Sequence, residues 1–209
     1  PAVASAQESG ERAGSGLDEI VVTAQRREEN MQDVPISVSA ISGETLSAIG
    51  VVGTTGLSPV VPSVQMTQSG PSTIFFMRGV GNTSGNVGEE GANAFYVDGV
   101  YLGDLTSAGT KFNNVQRIEV LKGPQGTLFG RNSSGGLVNI ITREPGDVTM
   151  VQGKVGYGNY NTLQGQVYAA TPLSESIAID LALTGKDQNK GWGTNFASGK
   201  DIGLGWYWG

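Results

Sequence analysis

The sequence predicts a small α+β domain followed by antiparallel β-strands of membrane-spanning character, and three features of the chain lead there. Strand-like runs at Val64 to Thr67, Thr73 to Arg78, Ala94 to Val97, Arg117 to Leu121 and Leu137 to Thr142 are mixed with short helix signals, the pattern of a compact α+β unit. Glycine makes up 33 of 209 residues, about twice the usual ~7% and without a collagen-like period, which implies many tight turns. Beyond Pro145-Gly146 the helix signals stop and apolar and polar residues alternate, as they do in transmembrane β-strands.

The elements follow in chain order. Residues 1–17 are small and polar and read as a disordered tether. Its Ala4-Ser5-Ala6 fits the small-residue pattern before a signal-peptidase cut and suggests export. Ile20-Val21-Val22-Thr23 is β-prone with no evident local partner, so its free edge could dock another chain. Pro35 to Ile41 alternates as a half-buried strand does. Ser42 is placed to cap a helix that Gly50 would end. A second short helix is expected from about Thr54 to Ser58, stopped by Pro59 and Pro62. Gly/Asn/Ser loops separate the later runs, the longest from Gly81 to Asn93.

In the last third, Thr149, Val151, Gly153, Val155 and Tyr157 share one face, against Gln152, Lys154 and Gly156 on the other. Ile177, Ile179, Leu181 and Leu183 alternate with Ala178, Asp180, Ala182 and Thr184. Leu163 to Ala169 and Ile202 to Trp208 supply the second and fourth strands. The connection at Gly158 to Asn161 is tight, that at Thr171 to Ser176 short, and that at Asp187 to Lys200 long and polar. Trp192, Trp206, Tyr207 and Trp208 cluster late, as an interfacial girdle would. A soluble antiparallel sheet with one buried face shares this periodicity and stays open as a reading. Four strands are too few to close a barrel, for which eight is the practical minimum.

Composition narrows the chemistry. A formal charge of -6 argues against nucleic acid as a partner, because phosphate binding needs a clustered positive surface. With no Cys and no His, thiol nucleophiles, His-based triads and most zinc sites are excluded. We expect no catalytic residues, no resident metal and no cofactor. Glu89-Glu90 are adjacent carboxylates with no evident base or nucleophile partner. Asp187 to Gly191 lacks the terminal Glu of a calcium loop, and the Gly-rich stretch at 123–136 lacks the Gly-Lys-Ser/Thr of a phosphate loop.

Several segments, in order, resemble the TonB-dependent outer-membrane receptors. Asp18-Glu19-Ile20-Val21-Val22-Thr23-Ala24 looks like the TonB box, and Gln32-Asp33-Val34-Pro35-Ile36-Ser37-Val38 like the entry to the plug. Met77-Arg78-Gly79 is similar to the family's Ile-Arg-Gly segment, with Met in place of Ile, and Tyr96-Val97-Asp98-Gly99-Val100-Tyr101 fits the next landmark. The most specific stretch is Val115 to Pro145, with Arg117 to Gly126, Gly130-Arg131-Asn132 and Gly135 to Thr142.

The resemblance implies a chain ordered as N-terminus 1–17, TonB box 18–24, α+β plug domain 25–146 and the first four or so barrel strands 147–209. The whole would be an outer-membrane barrel of about 22 strands around a plugged lumen, here cut short. The implied function is import of a scarce nutrient, an iron-siderophore first, a vitamin or saccharide otherwise. Implied partners are the C-terminal domain of TonB in the TonB-ExbB-ExbD system, the nutrient ligand and outer-membrane lipid. The alternative is a signalling-type receptor plug or a non-transport outer-membrane binding protein. On this reading Asp18 to Ala24 bind TonB. Arg78, Arg117, Arg131 and Arg143 make ionic contacts between plug and barrel, guanidinium being suited to bidentate carboxylate pairing. Gln68, Asn86, Glu89, Glu90, Tyr101 and Asp104 lie on or beside the loops expected to face the ligand.

Overall fold

A computed structural model describes residues 20–208 apart from 25, 28, 84, 85, 87, 110, 113 and 175. The expected N-terminal tether, Asp18 and Glu19 lie outside the described residues. The strands are β1 (Val21–Val22), β2 (Glu29–Asn30), β3 (Ser37–Ser42), β4 (Val64–Ser69), β5 (Ser72–Met77), β6 (Val80–Gly81), β7 (Asn93–Val97), β8 (Val100–Leu102), β9 (Val115–Lys122) and β10 (Gly136–Thr142). After them come β11 (Met150–Gly158), β12 (Thr162–Ser174), β13 (Ile177–Gln188), β14 (Gly193–Thr194), β15 (Asp201–Ile202) and β16 (Gly205–Trp208). The α-helices are α1 (Gly43–Ala48) and α2 (Gly126–Phe129), and 3-10 turns span Thr54–Leu57 and Ser107–Gly109.

A five-stranded sheet in the order β3-β9-β10-β7-β8 organises the first part of the chain. Its pairs are antiparallel except β10 with β7. Because side chains alternate across a strand, the sheet buries two separate apolar faces. On one, Ile118, Val120, Val138, Ile140 and Phe95 meet Leu46 of α1, Leu57, and Val64, Met66, Phe75 and Met77 of the β4-β5-β6 sheet. The Phe75 and Phe95 rings join the two sheets with centroids 5.0 Å apart. On the other face, Leu121, Leu137, Ala94 and Tyr96 meet Val22, Ala24, Val34 and Phe129.

Local signals explain most of the elements. Ser42 caps α1, accepting from the Thr45 N–H, and Gly50 follows the helix at φ +76, a left-handed turn that glycine adopts without Cβ strain. The sequence reading misses β6, β8 and α2, each four residues or fewer, too short to express a period. It also treats Ile20 to Thr23 as unpaired, whereas Val21 and Val22 form an antiparallel ladder with Asn30 and Glu29.

Four antiparallel strands, in the order β11-β12-β13-β16, form a separate sheet. β12 runs to Ser174, with a register shift between Pro172 and Ser174 that seats the proline at a bulge, so the expected connection at Thr171 to Ser176 is shorter than predicted. The expected fourth strand is divided: Ile202 pairs with Gly193 in a small ladder, and the sheet resumes at Gly205. No helix among the described residues is long and apolar enough to cross a membrane, which leaves crossing by strands open. No closed barrel is formed among the described residues.

Candidate functional site: the segment 20–24 and the four-stranded sheet

The segment from Ile20 to Ala24 lies on the second face of the five-stranded sheet. Val22 is fully buried and Ala24 nearly so, whereas Ile20 and Val21 are each 40% exposed. Burying one valine is worth roughly 1.5–3 kcal/mol, so Val22 alone is a substantial anchor. The Met31 N–H donates to the Ile20 carbonyl at 2.9 Å and closes the β1-β2 hairpin. Around it, Phe129 of α2 packs edge-on to Tyr96 with centroids 5.4 Å apart, and Arg26 stacks 5.3 Å from the Phe129 centroid. Burial pushes the Tyr96 hydroxyl above its usual range, partly offset by the Arg26 charge.

Thr23 meets Glu119, a carboxylate with no exposed surface. The Thr23 N–H donates to Glu119 Oε1 at 2.8 Å, and its hydroxyl lies 3.0 Å from Oε2. Arg117 Nε donates to the same Oε1 at 2.8 Å. A crevice of about 480 Å³ beside them is lined by Thr23, Arg26, Asp98, Arg117, Asn139 and Glu144, among others. Sequence reasoning singles out Arg117 but passes over Glu119. The available signal was a carboxylate set directly between apolar residues, Ile118-Glu119-Val120-Leu121, which demands a partner once it is buried.

The remaining predicted arginines separate by environment. Arg131 reaches Glu90 at 3.1 Å, so it and Arg117 meet carboxylates of the same α+β unit rather than of the wall. The physical reason is proximity: Glu119 follows Arg117 by two positions on the same face of β9, and Glu90 lies on the loop beside Arg131. Arg143 does reach the wall, donating to Gln152 Oε1 of β11 at 2.7 Å and stacking 5.4 Å from the Tyr168 centroid of β12. Arg78 donates to Ser37 Oγ at 3.0 Å, and Lys122, which the sequence analysis does not select, donates to Ser39 Oγ at 2.9 Å. Neither makes an ion pair among the described residues. Burial and the Arg78 charge hold Lys122 below the usual lysine range.

The expected ligand residues are dispersed and already engaged. Gln68 donates to the Gly70 and Pro71 carbonyls of its own hairpin turn, Asn86 donates to Glu89 at 2.8 Å, and Asp104 accepts from the Thr106 N–H at 2.7 Å. Glu90 and Tyr101 are brought together through Asn132, whose amide lies 2.6 Å from each. Tyr101, beside the loop that begins at Leu102, sits on β8 with its ring 5.5 Å from Tyr96, packed against the second apolar face. Hairpin register explains it, because Tyr101 pairs directly with Tyr96.

The four-stranded sheet has inverted polarity. Val151, Val155, Tyr157, Leu163, Leu181 and Leu183 point away from the α+β unit and are all at least half exposed. Tyr168 and Thr184 on the other face are buried, and with Gln152, Lys154, Gln164 and Gln166 they line a cavity of about 850 Å³ against α1 and Asn114. Contacts across it are polar: Asn114 to Asp180 at 3.2 Å and Lys154 to Ser47. A soluble sheet would bury its apolar face. Tyr207, expected in an outer aromatic girdle, lines this inner cavity instead, with Lys111 5.8 Å from its ring centroid. One residue of register separates it from Trp206, which is exposed.

Two buried faces on a small sheet, a docked N-terminal strand and a wall with its apolar side outward define a plug lying against a membrane-type β-wall. The family profile described as TonB-dependent Receptor Plug Domain matches residues 30–137, and the chain belongs to the TonB-dependent outer-membrane receptors. It is 28% identical to the pesticin receptor of Yersinia pestis over 96% of the chain and 29% of that protein. Over 60% of the chain and 20% of the relative it is 31% identical to the vitamin B12 transporter BtuB of Vibrio vulnificus. Among solved structures it resembles the ferric yersiniabactin uptake receptor FyuA from Yersinia pestis, with TM-score 0.65 and 27% identity, covering 79% of this chain and 26% of that one. The FpvAI receptor in complex with pyocin S2 shares the fold at TM-score 0.69 and 18% identity, covering 80% of this chain and 23% of that one. The chain thus spans less than a third of the length of these relatives.

Proposed function

We infer that the chain is the leading part of an outer-membrane importer in which residues 25–146 plug a barrel of about 22 strands begun by residues 147–209. The observation that carries this reading is the inverted polarity of β11 to β13, apolar on the side away from the plug and polar toward it. That distribution suits a wall with lipid outside and a hydrated, plugged lumen inside. The cargo is a scarce nutrient, an iron-siderophore in first place. The named relatives and neighbours support this: they include receptors for yersiniabactin, catecholate and pyoverdine chelates and a vitamin B12 transporter.

The segment from Asp18 to Ala24 is the coupling element. After cargo binds, it leaves the sheet and adds as a strand to the TonB C-terminal domain, where backbone hydrogen bonds supply affinity and alternate side chains supply register. Arg78, exposed and with the half-buried Lys122 beside it, is poised for carboxylates of the remaining barrel wall, guanidinium being suited to bidentate carboxylate pairing. Arg143 is a contact to the first wall strand. Arg117 and Arg131 act within the plug. Gln68, Asn86, Glu89, Glu90 and Asp104 are cargo contacts only if their internal hydrogen bonds exchange on binding.

The test is Val21→Pro in the full-length receptor, the Val21 N–H lying on the same strand edge as that of Thr23, away from β2. Proline removes a backbone donor that strand addition requires, so cargo binding is expected to persist while energised uptake is lost. Uptake at the native rate would reject the coupling role.

A further inference from the structure

We propose that Glu119 is a positioning residue for the coupling segment: it holds the backbone donor of Thr23 that an incoming strand must capture, and so keeps the segment docked until the plug is perturbed. The proposal rests on the coupling reading above and adds the element that restrains it.

Among the described residues, the side-chain hydrogen bonds that tie Ile20 to Ala24 to the sheet all pass through Thr23, to Glu119 on β9 and to Asn139 on β10. The β1-β2 ladder provides no such tie, because β2 is contiguous with the segment and can leave with it. Glu119 has no exposed surface and faces Asn139 and Ala40 across its two neighbouring strands. Its two oxygens accept from the Thr23 N–H, the Thr23 hydroxyl and Arg117 Nε. Leu at this position fills a similar volume but offers no acceptor, so both Thr23 donors lose their partner, whereas the Gln amide oxygen can still accept from the Thr23 N–H and its NH2 can donate to the Thr23 hydroxyl. Glu119→Leu therefore breaks the tie and Glu119→Gln retains it.

Strand addition uses the same backbone groups. A partner strand pairing along Val21 to Thr23 needs the Thr23 N–H, which is already committed to Glu119 Oε1. Docked and coupled states thus compete for one donor, and Glu119 sets the fraction of receptors in which that donor is free. Removal of the tie raises that fraction, and apparent affinity for the partner rises in proportion to the competent population.

The experiment uses the full-length receptor in detergent without cargo, carrying Val22→Cys as a reporter of release, since position 22 is fully buried when docked. With Glu119→Leu added, thiol labelling is expected to accelerate by roughly tenfold or more, the scale of one hydrogen bond to a charged group, and with Glu119→Gln it should stay close to the native rate. Thr23→Ala, which loses only the hydroxyl, should accelerate it less and without adding to Glu119→Leu, and Thr23→Ser should leave it slow. A second reporter, Val138→Cys, sits fully buried on the opposite face and should stay unlabelled. An unchanged rate at position 22 with Glu119→Leu, or equal labelling at position 138, overturns the proposal, the latter because the whole plug would then be loosening. Binding of the isolated TonB C-terminal domain to the same variants separates the two readings. Faster labelling with tighter binding supports both. Faster labelling with no binding to any variant keeps Glu119 as the tie and rejects the coupling role.

Discussion

At the scale of single residues, the plug is governed by what close packing permits. Gly136 opens β10 at φ +143, a conformation L-residues avoid, and a Cβ there would collide with Met77 Sδ and the Leu121 carbonyl oxygen. Gly136→Ala therefore combines backbone strain with overpacking and should cost at least about 2 kcal/mol, read as a shift in chemical denaturation followed by far-UV circular dichroism. Glu119 shows the other side of residue-scale economy. A charge without exposed surface is tolerable because Arg117 and Thr23 satisfy it, and the same satisfaction ties the segment 20–24 to the sheet.

At the scale of elements, the decisive property of β11 to β13 is which parity faces out. The odd-numbered face carries Val151, Val155, Leu181 and Leu183, and the even-numbered face carries Gln152, Lys154, Gln164 and Gln166. Leu181→Arg places a charge on the lipid side and should destabilise the assembled receptor by about 2–4 kcal/mol if it lies near the bilayer midplane. Gln164→Arg adds the same charge to the polar side and should change stability little. The comparison is read from the denaturant midpoints of the two variants folded into lipid; equal costs would mean that the outer face meets water. The β1-β2 hairpin is the converse element, only two residues per strand, and it holds through Val22, Ala24 and Thr23 rather than through its own ladder.

At the scale of the whole molecule, the proposed function requires the plug to seal a lumen and still move. Its described contacts to the wall are polar, Arg143 to Gln152 and Asn114 to Asp180, so displacement exchanges hydrogen bonds with water instead of exposing an apolar interface. The exposed Arg78 and the half-buried Lys122 form a positive site that carboxylates elsewhere in a barrel would neutralise. Arg78→Glu reverses one of those charges and should loosen the seal in the full-length receptor, measured as a several-fold rise in sensitivity to a bulky antibiotic normally excluded by the outer membrane. Unaltered exclusion would remove Arg78 from the plug–barrel contacts.

Much of this organisation was legible in the residues. Local rules suffice for the α1 cap at Ser42, for the main strands from β3 to β13, and for the dyad period of the wall, because capping and alternation depend on neighbours within a few positions. The family followed from motifs such as Arg117 to Gly126. What the sequence by itself could not decide is which groups meet across distance: that Thr23 docks on Glu119, 96 positions away, that Tyr101 packs on Tyr96, that Arg131 finds Glu90, and that the wall turns its apolar side outward. Periodicity assigns residues to faces but not faces to surroundings, and only the folded arrangement of the two sheets fixes which face is covered.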